Sequence, residues 1–160
     1  MVEIFQAIGS KDIEAARAIF REYEQWLGMS LCFQSFEEEL ADLPGRYAPP
    51  SGRLYLARTD GATVGCIALR QIEDGICEMK RLYLRESARG KGVGVALIEK
   101  VIADAIEIGY AKMRLDTYPP KMGKAVSLYE AHGFYEIPAY YHNPHDGVLF
   151  MEKVLTDHSP

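Results

Sequence analysis

The 160-residue chain is sparing with cysteine, histidine and tryptophan: three, four and one residue respectively. Cys32, Cys66 and Cys77 are odd in number and widely spaced, and no CxxC pair occurs, so neither a disulfide framework nor a zinc knuckle is encoded. His132, His142, His145 and His158 have no ligand spacing on a helix; His142 and His145 are three apart, but in a proline-broken stretch where a turn explains them. No structural or catalytic metal is expected, and reduced thiols suit a cytoplasmic protein. Positive charge is also in deficit. Eighteen Lys and Arg stand against 23 Asp and Glu, a net charge of -5, which argues against general nucleic-acid binding because phosphate contacts need a basic surface. No apolar run reaches the length of a membrane span, and Met1-Val2-Glu3 opens no positively charged signal peptide, so no membrane association is expected. What remains is ordinary core material, 48% apolar and 26% charged residues. It is expected to fold as one domain over residues 1–160, burying roughly 70% of its extended surface.

The hydrophobic pattern sets the order of elements. Val2 to Ala7 reads as a first strand. Ile13, Ala16, Phe20, Tyr23 and Leu27 recur at helical spacing after Ser10, the expected N-cap, and Gly28 stops that helix. Ser35 and Glu38 form a capping-box pair for a second, short helix ending near Pro44-Gly45. Asp60-Gly61 and Asp74-Gly75 mark turns between three consecutive antiparallel strands. A long amphipathic helix runs from the glycines near residue 94 to Gly109, and Lys112 to Thr117 is a strand; strand, helix and strand predict a parallel crossover. A short helix after Pro119-Pro120 ends at Gly133, and Phe134 to Ile137 pairs with Gly147 to Val154. The fold class is α+β, a mixed sheet with helices on its faces.

The third meander strand, Ile76 to Leu84, breaks its own alternation. Cys77 and Met79 are apolar at odd positions, whereas Leu82 and Leu84 are apolar at even ones. A β-bulge between Met79 and Leu82 would repair the pattern. A strand buried on both faces, with Lys80 and Arg81 reaching past its edge, explains it equally well. Between this strand and the next helix lies Arg89-Gly90-Lys91-Gly92-Val93-Gly94. Three glycines let backbone N–H groups turn toward one point, the helix N-terminus adds partial positive charge, and Arg89 and Lys91 add formal charge. The product is a phosphate or pyrophosphate site; the plain alternative is a helix cap with a Gly-rich lead-in. A Walker A loop is excluded because Val95 and Ala96 follow Gly94, and the glycine spacing is wrong for a dinucleotide fingerprint.

Arg89-x-x-Gly92-x-Gly94 resembles the acyl-CoA signature of the GNAT N-acetyltransferase superfamily, Arg/Gln-x-x-Gly-x-Gly/Ala. Leu82-Tyr83-Leu84 resembles that family's splayed fourth strand, and Ala125 to Phe134 its later Ala-x-x-Leu-Tyr-x-x-x-Gly-Phe segment. The resemblance implies a mostly antiparallel sheet splayed between strands 4 and 5. It implies a coenzyme A pyrophosphate on the N–H groups of Gly90, Lys91, Gly92, Val93 and Gly94, opened by Arg89. Pantetheine would enter the slot like a surrogate strand, bonded to backbone around Leu82 and Leu84. Acetyl-CoA is then the co-substrate and an amine the acceptor.

Thioester aminolysis makes three demands. A fixed donor must meet the carbonyl oxygen as it gains charge, and the Leu82 N–H, or a neighbour one residue away, is the candidate. The amine, with a pKa near 10, must lose a proton. Glu78 occupies the position where some family members place a glutamate base; its plain reading is a solvated strand residue paired with Lys80 or Arg81, and Glu73 and Asp116 are alternatives. The departing thiolate needs a proton, and Tyr129 matches the family position beside the sulfur, although a core aromatic would fit the same helix face. Met122 stands where many members carry Asn. Tyr140, Tyr141 and Asn143, in the loop before the last strand, either border the acceptor pocket, holding an amine by cation–π contact, or pack against the sheet edge. Tyr23 and Trp26 read as core or lid residues. A non-catalytic acyl-CoA sensor is the alternative to an enzyme, and a homodimer is a family-level expectation only.

Overall fold

The computed structural model describes residues 2–31 and 35–155; Cys32 and His158 lie outside the described residues. The elements are β1 (Val2–Gln6), α1 (Gly9–Leu27), α2 (Phe36–Asp42), a 3-10 turn (Gly45–Tyr47), β2 (Arg53–Thr59), β3 (Ala62–Glu73) and β4 (Ile76–Leu84). After them come α3 (Val93–Ile108), β5 (Lys112–Thr117), α4 (Pro119–Ala131), β6 (Tyr135–Ile137) and β7 (Leu149–Val154). All seven strands join one sheet in the order β1-β2-β3-β4-β5-β7-β6. Every pairing is antiparallel except β4 with β5, where the α3 crossover returns the chain in the same direction. The α+β class and the mixed sheet read from the sequence are what the chain adopts.

The two sheet faces carry two cores. Leu97, Ile98, Val101 and Ala105 of α3 pack on Cys77, Met79, Leu82, Met113 and Leu115. On the other face Ala16, Ile19, Phe20, Tyr23 and Leu27 of α1, with Phe36 and Leu40 of α2, cover Leu54, Leu56, Cys66, Ala68 and Tyr83. Each large side chain fully buried in this way contributes about 1.5–3 kcal/mol. Both expected helix caps are corrected. Helix α1 begins two residues early, at Gly9, and its N-cap Ile8 donates its N–H to Asp12 Oδ2 at 3.1 Å, which leaves Ser10 inside the first turn. Ser35 does precede α2, but its backbone is left-handed (φ 56°), and its hydroxyl makes no cap bond. A capping side chain needs extended backbone to swing over the first turn.

The irregularity in β4 is a bulge, and the strand is also buried along almost its whole length. Ala68 pairs with Lys80 and Cys66 with Tyr83, so Arg81 and Leu82 stand together opposite Ile67. Arg81 takes the extra residue's conformation at φ 63°, a region that disfavours side chains with a Cβ. Three contacts hold it there. Its guanidinium makes two hydrogen bonds to Glu39 of α2 (3.0 and 2.8 Å) and lies 5.1 Å over the Phe36 ring. Its carbonyl accepts a bond from the Cys66 thiol at 3.1 Å. Past the bulge, Leu82 and Leu84 face α3 like Cys77 and Met79 before it. Lys80 and Arg81 do not reach past the edge; they are 6% and 5% exposed.

The parallel pairing of β4 with β5 is short. It covers Ile76, Cys77 and Glu78 against Lys112, Met113 and Arg114, and ends there. From that point β4 stays with β3 and β5 with β7, and the sheet opens into a cleft.

Two outcomes follow from these packings. Glu39→Ala strands a buried guanidinium at a left-handed residue and is expected to cost about 3–5 kcal/mol in denaturant unfolding, whereas removing Glu37 from its exposed pair with Arg21 barely moves the midpoint. His132 at the end of α4 bonds Leu128 O (2.8 Å) and Glu99 (3.1 Å), which together raise its pKa above the usual imidazole value of about 6.5. A raised folded-state pKa means the native chain binds the proton more tightly. Its contribution is therefore complete below that ordinary value and is lost as pH rises through the folded value. Melting curves of His132→Gln should fall below wild type at pH 5.5 and converge with it at pH 8.5.

Candidate active site

The glycine-rich turn leads from β4 into the N-terminus of α3. Gly90 (φ 74°) and Gly92 (φ 80°) are both left-handed, and a Cβ added at either would meet nothing within 4 Å. Their outer side is open. Gly92 is the N-cap of α3 and makes no side-chain cap bond, so the first-turn N–H groups of Val93, Gly94 and Val95 have no intrahelical acceptor. They point outward with the positive end of the helix, an anion cradle by geometry. Gly94 is there for closeness: a Cβ would sit 3.3 Å from Leu84 Cδ1, so the helix seats directly on the end of β4. Arg89 is fixed by its Nε–H bond to Leu84 O (3.0 Å) and by Trp26, whose ring lies 5.0 Å from its guanidinium carbon. Lys121 flanks the same indole at 5.4 Å, and Tyr83 packs on it at 5.5 Å.

The cleft between the diverging strands is lined by Tyr23 of α1, Met79, Lys80, Arg81 and Leu82 of β4, Asp116 of β5, and Met122 and Tyr129 of α4. Helix α4 closes its end. The helix bends at Met122 (φ -123°), whose sulfur receives the Thr117 hydroxyl at 3.7 Å. Tyr129 is 3% exposed and packs on Phe134 at 5.7 Å. Burial raises its phenol above the ordinary value, and Tyr23 and Asp116 add to the shift.

Behind the cleft runs a buried polar layer. Glu78 is 1% exposed. It accepts Arg70 Nε–H at 2.8 Å and the Tyr140 hydroxyl at 2.6 Å, with Lys80 Nζ at 3.9 Å. Burial alone would raise its carboxyl, but Lys80, Arg70 and Tyr140 outweigh that and hold it below the usual range. Burial lowers the Lys80 ammonium, partly offset by Glu78 and, less, by Asp116. Tyr141 donates to Asp116, and Asn143 Nδ2 donates to the Tyr141 oxygen at 2.9 Å. Tyr140 and Tyr141 stack edge-on against each other and against Phe150 of β7. Arg114 lies 5.3 Å over the Tyr140 ring, so that face already has its cation.

Residues 13–134 match the family described as Acetyltransferase (GNAT) family. The chain belongs to the GNAT family. An uncharacterized N-acetyltransferase of Schizosaccharomyces pombe is 39% identical over 148 residues, 91% of this chain and 90% of its own length. An acetyltransferase of the GNAT family from Staphylococcus aureus superposes with a TM-score of 0.80 at 19% identity, covering 98% of this chain and 100% of that one. The PaiA N-acetyltransferase of Thermoplasma acidophilum, solved in complex with coenzyme A, superposes at 0.73 with 22% identity over 96% of this chain and 99% of that one. As a GNAT protein the chain is an N-acetyltransferase that draws its acyl group from a coenzyme A thioester, which displaces the sensor alternative.

In this GNAT fold the residues singled out from sequence fall into three groups. Leu82 and Tyr129 line the cleft itself; Leu84 meets Gly94 where α3 seats on β4, and the stretch from Arg89 to Val93 leads from one element into the other. Glu78 sits behind the lining, bonded to Arg70 and Tyr140; it is not solvated, and of the two partners expected for it the ion pair is with Lys80 and not with Arg81. Tyr140, Tyr141 and Asn143 link the last loop to Glu78 and Asp116 through their polar atoms while their rings pack on β7. Lys80 and Arg81 were missed as cleft residues. The signal was present: two adjacent cations in a strand otherwise too apolar for a solvated face.

The open glycines give a direct check. Replacing Gly90 and Gly92 together by Ala imposes about 1–2 kcal/mol of left-handed strain per site. Calorimetry should then show acetyl-CoA binding weakened more than about tenfold, with circular dichroism showing an intact fold.

Proposed function

We propose that this enzyme moves acetyl from acetyl-CoA to a primary amine by direct attack in the cleft between β4 and β5. The observation that carries this reading is that the strands part next to the bulge, and the opening is lined by Leu82, Asp116 and Tyr129 together. Acetyl-CoA supplies the acyl group already activated as a thioester. The residues present fit it. Gly90, Lys91, Gly92, Val93 and Gly94 offer an open cradle for its diphosphate, with Arg89 and Lys91 adding charge. The edges of β4 and β5 left unpaired past Glu78 and Arg114 offer main-chain partners to its two amides, around Leu82 and Leu84.

Each reacting atom then has a counterpart. A bulge leaves a residue out of the ladder, so the Leu82 N–H is assigned to the carbonyl oxygen as charge develops there. The amine nitrogen bonds to the carbonyl carbon as the carbon–sulfur bond breaks. We assign the amine's proton to Asp116, the carboxylate that lines the cleft, rather than to Glu78, which Arg70 and Tyr140 hold behind it. Tyr129, kept protonated by its burial, donates to the departing sulfur. Met122 replaces a polar contact with an apolar wall, leaving pantetheine to the backbone. Tyr140, Tyr141 and Asn143 position the acceptor side by fixing Glu78 and Asp116.

Cys66 and Cys77 are unpaired and buried, and burial pushes the Cys77 thiol up to about 12. Both thiols suit a reducing compartment, and we place the enzyme in the cytoplasm. Among the described residues no helix is long and apolar enough to cross a membrane.

The test is turnover with a panel of amines. Acetyl-CoA should raise the melting temperature and ATP or NAD should not. Tyr129→Phe should lower kcat about 100-fold or more with little change in acetyl-CoA affinity. Undiminished turnover in that variant removes Tyr129 from proton transfer.

A further inference from the structure

We propose that Trp26 of α1 is a positioning residue for the acyl donor, its indole holding Arg89 of the glycine turn and Lys121 of α4 ready as a clamp for the coenzyme's phosphates. The inference rests on the reading of the β4–β5 cleft as the site of acetyl transfer, and adds the residues that grip the donor's charged end.

Arg89 lies in the turn that follows β4, and Lys121 in the first turn of the helix that follows β5, so one cation comes from the end of each strand that parts from the other. The indole meets both. The Arg89 guanidinium carbon lies 5.0 Å and Lys121 Nζ 5.4 Å from the ring centre. Tyr83, near the end of β4, packs on the same ring at 5.5 Å, and its hydroxyl donates at 2.9 Å to Glu22, one helical turn before Trp26. The indole is thus fixed by β4 as well as by its own helix.

Helix α1 treats two neighbouring arginines differently. Arg85 receives a carboxylate, Glu22, through three hydrogen bonds of 2.9–3.1 Å. Arg89 receives a ring. A carboxylate orders a guanidinium and cancels its charge, whereas a ring orders it and leaves the charge intact. Among the described residues Arg46 and Arg89 are the arginines with no carboxylate partner, and Lys121 has none either. The Nε–H of Arg89 bonds Leu84 O at 3.0 Å, which leaves the donors of both terminal nitrogens for a ligand. In a chain of net charge -5, two ordered and uncancelled cations beside an open glycine turn mark the place of an anion. A ligand with several phosphates matches them, because a charge-assisted bond to a phosphate oxygen is stronger than an exposed cation–π contact. The indole holds the two cations in the free enzyme and yields them to the donor.

Acetyl-CoA and S-acetylpantetheine differ by the phosphates and the nucleoside, so the pair separates a clamp from a packing role. Calorimetry should show acetyl-CoA bound about tenfold more weakly by Lys121→Met, the value of one charge-assisted hydrogen bond, and at least as much more weakly by Trp26→Ala. Trp26→Phe should recover part of the loss, because a benzene face still holds a cation. The losses should shrink in about 0.5 M salt, where exposed charges are screened. In turnover of an amine, the kcat/KM advantage of acetyl-CoA over S-acetylpantetheine should fall about tenfold in Lys121→Met and in Trp26→Ala. Unchanged acetyl-CoA affinity in both variants overturns the inference and leaves acetyl transfer standing. An equal fall with both donors shows a packing role only and overturns it too. Absence of acetyl-CoA binding by the wild-type enzyme overturns both readings. If Trp26→Ala does not fold, Lys121→Met, at an exposed position, decides alone.

Discussion

One ion pair underlies the arrangement of β4. Arg81 adopts a backbone conformation that a residue with a side chain avoids, and it keeps it because Glu39, reaching in from α2, binds the buried guanidinium with two hydrogen bonds. The bulge that results shifts the side-chain alternation by one. Before it, Cys77 and Met79 face α3; after it, Leu82 and Leu84 do so too. The same shift takes backbone groups out of the ladder where the proposed chemistry needs them. A pair between residues 42 positions apart thus links the covering helix α2 to the strand that carries the cleft.

The two faces of the sheet spend their burial differently. The α3 face is mostly apolar, with one buried carboxylate, Asp104, bonded by Tyr55, and most of its stability is a matter of area removed from water. The α1 and α2 face encloses Arg70, Glu78, Lys80, Arg81 and Glu39 beneath an aromatic cover. Charges paired in that setting add little net stability over apolar replacements, while removal of one partner is costly. A layer of this kind is retained for what it positions. Tyr140 and Tyr141 bring the last loop into it through their phenols, so the loop, β4 and β5 are held in a common register around the cleft.

How much was readable in the sequence depended on how local each signal was. The Asp-Gly turns, the glycine lead-in to α3 and the parity break in β4 are written within a few residues, and the strands, the crossover and the bulge follow from them. The end of strand pairing after Glu78 and Arg114 came only with the family resemblance. Ser10 and Ser35 looked like caps because the residue type was right; the backbone at Ile8 and Ser35 decided otherwise. The charged layer was legible only in part: two adjacent cations in so apolar a strand mark Lys80 and Arg81 as unusual, but Glu39 and Asp116, far apart along the chain, meet them only in the fold. Tyr140 and Tyr141 posed a choice between packing and polar contact, and the fold satisfies both, with rings on Phe150 and hydroxyls on carboxylates.

Trp26 is the only tryptophan in the chain, and its indole is bracketed by Arg89 from the glycine turn and Lys121 from the start of α4. Red-edge excitation selects that single chromophore over ten tyrosines. Charges this close to an indole act on its excited state, so a ligand that draws either cation away is expected to shift its emission. The molecule carries its own optical gauge of the glycine turn and the start of α4, with no label attached.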